Sequence, residues 1–256
     1  MRRLWPWVAG AIGLVLVVTL AISWPHVQRF TTGLPPEQFH EELDPALLQD
    51  YPAVLGIAHN AGNRLDTVQL ALAHGADVIE VDVISVRGQI VAGRDQPWPW
   101  LGEHLFRGPT LESVWEHAAA AQVLKLDLKQ TDRAFLDDLV AFLAPRASSR
   151  EVMISTRNEG ALLYLHQRLP AVTMLYSIGF PEGFQHLRAD AVLQHAIGGA
   201  TVFQGLVSSD LVTWMHERHL LVLAWTVNDV HRLNELVALH VDGVTTANLA
   251  ILQALS

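Results

Sequence analysis

Two carboxylates spaced two residues apart, Glu80 and Asp82, stand in the run Gly75-Ala76-Asp77-Val78-Ile79-Glu80-Val81-Asp82-Val83. In a strand, residues i and i+2 share a face, so both carboxylates project into one space. Charge among apolar neighbours is costly unless something neutralises it, and a bound metal ion is one common solution. Lys125-Leu126-Asp127-Leu128-Lys129 repeats the pattern, with Asp127 and Lys129 on one face, either as site groups or as a structural ion pair. Lys125 shares that face and is expected to find a carboxylate partner deeper in the interior. Gly56-Ile57-Ala58-His59-Asn60 ends a third apolar run with an imidazole, which can move a proton near neutral pH. Three strand-like runs, each delivering ionisable groups at its C-terminal end, point to an active site.

The elements that position these groups follow from periodicity. Short β-branched runs predict strands at Val54–His59, Val78–Ile84, Val123–Lys129, Val152–Thr156, Thr173–Ser177, Ala191–Gln194, Val222–Val227 and Val241–Thr245. Amphipathic stretches such as Leu65–His74, Leu111–Ala121, Asp132–Leu143, Gly160–Leu169, Asp210–His219 and Asp229–His240 lie between them, with Asp66, Thr110 and Asp229 as candidate N-caps. Such alternation predicts a parallel sheet with helical crossovers. Eight units fit a (β/α)8 TIM barrel, whose chemistry sits at the strand C-termini; an open doubly wound sheet is the other arrangement. His59-Asn60-Ala61-Gly62-Asn63 is not a dinucleotide-binding glycine loop. Val86-Arg87-Gly88 reads as a hairpin turn leading to Gln89–Gly93, and the loop beyond it carries Trp98 and Trp100. His216-Glu217-Arg218-His219 lacks the zinc His-Glu-x-x-His spacing.

Composition narrows the class. The 256-residue chain has a formal net charge of −9 and no basic run to meet nucleic-acid phosphates. It has no cysteine, which removes disulfides, thiol nucleophiles and thiolate zinc sites. Arg2 and Arg3 precede an uncharged stretch from Leu4 to Trp24, long enough to span a bilayer. The expectation is a single-pass membrane anchor at 1–24 with a cytoplasmic N-terminus, a linker at 25–52 with a short helix at Pro45–Gln49, and an extracytoplasmic barrel at 53–256. A cleaved signal peptide is the rival reading of the first segment.

With these residues the chain resembles the glycerophosphodiester phosphodiesterase family of phosphatidylinositol-phospholipase-C-like barrels. The resemblance rests on Ala58-His59, the Gly75–Val83 run, Leu126-Asp127-Leu128-Lys129, Trp225-Thr226-Val227-Asn228-Asp229 and Val241-Asp242-Gly243-Val244-Thr245-Thr246, in that order. It implies a (β/α)8 barrel that cleaves glycerophosphodiesters or lysophospholipid head groups with a divalent cation, Ca²⁺ or Mg²⁺, held by Glu80, Asp82 and Asp127. By the same resemblance, Lys129 meets charge on the phosphate, His59 is general acid or base, and Trp225 packs on the apolar part of the substrate. The chain departs from the family at several places. Asn60 follows His59 where the family has Arg, Leu65-Asp66-Thr67 stands for its Glu-Asn-Thr, and Arg94 occupies the position of a second catalytic His. Arg94 is expected to take over phosphate clamping and His104 to supply the second imidazole. The alternative is a catalytically inactive barrel that binds phosphate head groups or a protein partner, because Arg stays charged and cannot shuttle protons.

Overall fold

The computed structural model describes residues 39–41, 44–47, 51, 54–97 and 101–256. Eight parallel strands close on themselves: β1 Leu55–Ala58, β2 Val78–Val86, β4 Val123–Leu128, β5 Glu151–Thr156, β6 Thr173–Ile178, β7 Gly199–Phe203, β8 Leu221–Trp225 and β9 Gly243–Thr246. β1 pairs with both β9 and β2, and this closure excludes the open sheet. The ninth strand, β3 Gln89–Ala92, is antiparallel to β2 across a two-residue turn. Arg87 (φ 53°) and Gly88 (φ 73°) both adopt the left-handed region that such a hairpin turn requires.

Helices α1 Leu65–Ala73, α3 Leu111–His117, α4 Arg133–Leu143, α5 Glu159–His166, α6 Pro181–Ala189, α7 Ala191–Ala196, α8 Ser209–His216, α9 Val230–Ala238 and α10 Leu249–Leu255 surround the strands, and α2 Leu101–Leu105 follows the hairpin. Thr110 and Asp229 cap as expected, accepting from the amides of Ser113 and Arg232. Asp66 does not. It lies inside the first turn of α1, ion-paired to the exposed Arg64.

Ala191–Gln194 is a helix, not a strand. Asp190 accepts from the Leu193 amide and starts α7 there, and the strand of this unit runs instead over Gly199–Phe203. Its first residue must be small: a Cβ on Gly199 would lie 2.5 Å from the Leu221 carbonyl oxygen.

The barrel interior is layered because the strand period is two. Ile57, Val78, Val123, Met153, Leu175 and Leu223 form an apolar plug at the bottom, each such side chain contributing roughly 1.5–3 kcal/mol on burial. Two residues further along, the same strand faces turn polar, with Glu80, Lys125, Ser155, Ser177 and Trp225. The other strand faces pack against the helices through Ile79, Val81, Leu124 and Ile154, among others.

Parts of the expected linker are fastened to the barrel. His40 bridges to Asn248, donating its amide to the Ala247 carbonyl (3.1 Å) and accepting from the Leu249 amide (2.8 Å). The Tyr51 hydroxyl donates to Asn234 Oδ1 (2.6 Å), and a 3₁₀ turn covers Pro45–Leu47. The apolar stretch at 4–24, Trp98 and Trp100 lie outside the described residues. Among the described residues no helix is long and apolar enough to cross a membrane.

Candidate active site

A cavity of about 460 Å³ opens at the C-terminal ends of the strands. His59, Glu80, Asp127, Lys129, Arg94 and Trp225 line it, so most of the residues singled out in the sequence come together there. Lys125 and Arg157 line it too, with the hydroxyl residues Thr156, Ser177, Thr201 and Thr226.

The carboxylates are met by ammonium groups. Glu80 and Lys125 face each other in register across β2 and β4, with Lys125 Nζ 2.5 Å from Glu80 Oε1. Both are buried, Lys125 at 1% exposure. The expected partner of Lys125 is therefore not a deeper carboxylate but Glu80 itself. One residue pair higher, Asp82 and Asp127 are also in register, and Lys129 bridges them, 3.0 Å from Asp82 Oδ1 and in contact with Asp127 Oδ2. Ser155 donates to Asp127 Oδ1 (2.8 Å).

These contacts set the protonation behaviour. Burial raises the Asp82 carboxyl to about 6, with repulsion from Asp127 and Glu80 adding to it against the pull of Lys129. Burial also acts to raise Asp127, but Lys129 and Lys125 outweigh it and hold that carboxyl below its ordinary value. Burial alone would lower Lys129; Asp127 and Asp82 reverse this and raise it, so it stays an ammonium.

Asp82 does not itself line the cavity and is held from behind. Asn63 accepts the Asp82 amide on Oδ1 (2.9 Å) and donates through Nδ2 to Asp82 Oδ2 (3.4 Å). Gly62 permits this approach, since a Cβ there would fall 2.6 Å from Val81 Cβ. Asn63 escaped sequence reasoning, although Gly-Asn directly after a site strand was its signal. Asn60 sits at φ 54°, a left-handed conformation that Asn tolerates better than most residues. Its amide donates to His59 Nε2 (3.1 Å), so it contacts the imidazole and does not line the cavity. Arg94 reaches the cavity, with Nη1 4.0 Å from Asp82 Oδ2. Trp225 packs edge-on against Phe203 at 5.6 Å.

His104 is not brought to the cavity. It lies exposed on α2, and among the described residues His59 is the one histidine of the lining. Asp66 does not line the cavity either. Arg157 and the hydroxyl residues were missed because nothing local marks them; they are neighbours of the charged strands only through barrel closure. His216 pairs with Asp242 (2.9 Å) on the outside, as a helix-face histidine rather than a zinc ligand.

A divalent cation holds its oxygens at roughly 2.0–2.6 Å, so they lie within about 5 Å of one another. Among the described residues one group of carboxylate and imidazole ligand atoms lies within 4.8 Å, and it is Glu159, His186 and Asp190 on the outside of the barrel, a group that could hold a cation. Glu80, Asp82 and Asp127 are not drawn together in this way. One feature suits a cation: Glu80 Oε2 is buried with no hydrogen-bond partner. A single orphaned oxygen is one ligand where six or more are needed, and the three carboxylates as they stand do not fit one divalent ion.

Fold and rim chemistry together define a TIM-barrel protein with its site at the strand C-termini. Residues 104–250, more than half of the chain, match the glycerophosphoryl diester phosphodiesterase family, and the chain belongs to that family. The matched span includes Asp127, Lys129 and Trp225; His59, Glu80, Asp82 and Arg94 precede it. No curated protein matches the sequence.

Several solved structures share the fold. A phosphodiesterase of Oleispira antarctica, in complex with the product sn-glycerol-3-phosphate, is 20% identical with a TM-score of 0.64, covering 82% of this chain and 97% of its own. A glycerophosphodiester phosphodiesterase of Parabacteroides distasonis is 20% identical (TM-score 0.63, 78% and 95% covered). That of Thermotoga maritima is 16% identical (TM-score 0.62, 79% and 98% covered).

Proposed function

We propose that the barrel binds and cleaves the phosphodiester of a glycerophosphodiester or a lysophospholipid head group. The observation that carries this reading is the cavity itself, where His59 and the cations Lys125, Lys129, Arg94 and Arg157 line one wall-to-wall space in a member of this family. The product bound to the Oleispira antarctica relative supports a glycerophosphate moiety as the common part of the substrate.

In this reading Lys129 and Arg94 hold the non-bridging phosphate oxygens and oppose charge developing on them. His59 moves the proton of the attacking or leaving hydroxyl. Trp225 and Phe203 meet the apolar part of the alcohol. The resemblance implies Ca²⁺ or Mg²⁺ at Glu80, Asp82 and Asp127, a group that these three carboxylates as they stand do not fit. The stretch at 4–24 anchors the chain in a membrane, with the N-terminus cytoplasmic and the barrel on the far side.

A second reading has a specific observation behind it. With Arg94 in place of a second histidine and His104 away from the cavity, the barrel binds phosphate head groups without turning them over. Turnover of glycerophosphocholine and lysophosphatidylcholine by the full chain separates the two. Enzyme predicts activity that falls about a hundredfold or more in His59→Ala, in line with general acid–base catalysis. Binding of the same diesters with no turnover would replace the enzyme reading by the second one.

A further inference from the structure

Lys125 has no role in the family resemblance, yet it is, with Asp82, among the most deeply buried charges of the site. We propose that the chain supplies its own positive charge to the phosphate: Lys125 and Lys129 stand where a divalent cation would act, and the anion binds without metal. This rests on the phosphodiester reading above.

Geometry and charge balance carry it. Lys125 occupies Glu80 at 2.5 Å, and Lys129 occupies Asp82 and Asp127 at once. Each of the three carboxylates that could have ligated an ion thus contacts an ammonium. The lining carries Lys125, Lys129, Arg94 and Arg157, four cations, against Glu80, Asp95 and Asp127, three carboxylates. Counting Asp82, which sits outside the lining, the cluster is balanced at four and four, with no deficit for a divalent ion to fill.

Lys125 cannot step aside. It is buried in the barrel at the floor of the cavity, between its register partners Glu80 and Met153 and above the apolar plug, so an ion ligated by Glu80 would lie against an ammonium. Like charges held together out of water repel strongly. The partnerless Glu80 Oε2 then remains as an acceptor for a hydroxyl of the ligand.

The test is binding of sn-glycerol-3-phosphate to the full chain by calorimetry, in chelator and in excess Ca²⁺ or Mg²⁺. It is run in a His186→Ala background, so that the outer Glu159–His186–Asp190 group adds no cation signal. The affinity is expected to agree within about twofold across conditions. Lys125→Met is expected to weaken binding in chelator by about tenfold, or about 1.4 kcal/mol, and to regain it in Ca²⁺. Lys125→Arg, which keeps the charge, should bind without cation and serves if Lys125→Met does not fold. Binding by the parent chain that vanishes in chelator and returns with Ca²⁺ would overturn this inference and leave the phosphodiester reading standing. No binding under any condition would overturn both.

Discussion

The two sides of the barrel mouth treat their polar groups differently. On the β2–β4 side, Glu80, Asp82 and Asp127 each contact an ammonium, and Asn63 and Ser155 complete the set. On the β6–β9 side, Ser177, Thr201, Trp225 and Thr245 carry no charge, and Trp225 Nε1 and Thr245 Oγ1 are buried with no hydrogen-bond partner. Breaking a buried ion pair costs several kcal/mol, whereas one unmet hydroxyl or indole N–H costs about 1–3 kcal/mol. A fold can therefore leave the uncharged side incomplete but must close the charged side, Glu80 Oε2 excepted. One side is organised before any ligand arrives; the other has donors to spare.

The sharpest attack on this contrast is Lys129→Met. It leaves Asp82 and Asp127 opposed with no shared cation and should cost about 3 kcal/mol in urea unfolding, together with most of the anion affinity. A change below about 1 kcal/mol would mean that the charged side is not held by its pairs.

Next in size is a pH effect. Because the Asp82 carboxyl is raised to about 6 in the fold, the folded protein keeps a proton that the unfolded chain has released above about pH 4. Ionising this group therefore lowers stability as pH rises from about 4 to 6, and its contribution is recovered on acidification through the same window. Asp82→Asn should remove this fall, on the order of 3 kcal/mol, from the stability–pH curve. An unchanged slope would place the titration elsewhere.

Thr245→Val should have the smallest effect and the opposite sign. Removing a buried hydroxyl without a partner, at nearly constant volume, should stabilise by about 1 kcal/mol. A loss of that size in thermal unfolding would show that the hydroxyl is satisfied and that the two sides are alike.

Strand parity made the charged side legible. Glu80, Asp82, Asp127 and Lys129 could be placed on common faces from spacing alone, and His59 from its position at the end of an apolar run. What spacing could not give was register between strands. That Glu80 stands opposite Lys125, not above it, depends on how β2 slides against β4, which no local window encodes. The hydroxyl residues were silent for the same reason. β7 was misplaced because Gly198-Gly199-Ala200-Thr201 looks like a loop; its small residues answer to the crowding against Leu221. His104 was joined to the site by nearness in sequence alone, and a five-residue helix carries it to the surface.

The bridge between His40 and Asn248 sits just past the end of β9, on the rim where the cavity opens, rather than at the barrel floor. The chain thus enters the domain at its mouth. Through His40 the segment is tied to the turn between β9 and α10, so that part of the wall is shared between the two ends of the described chain.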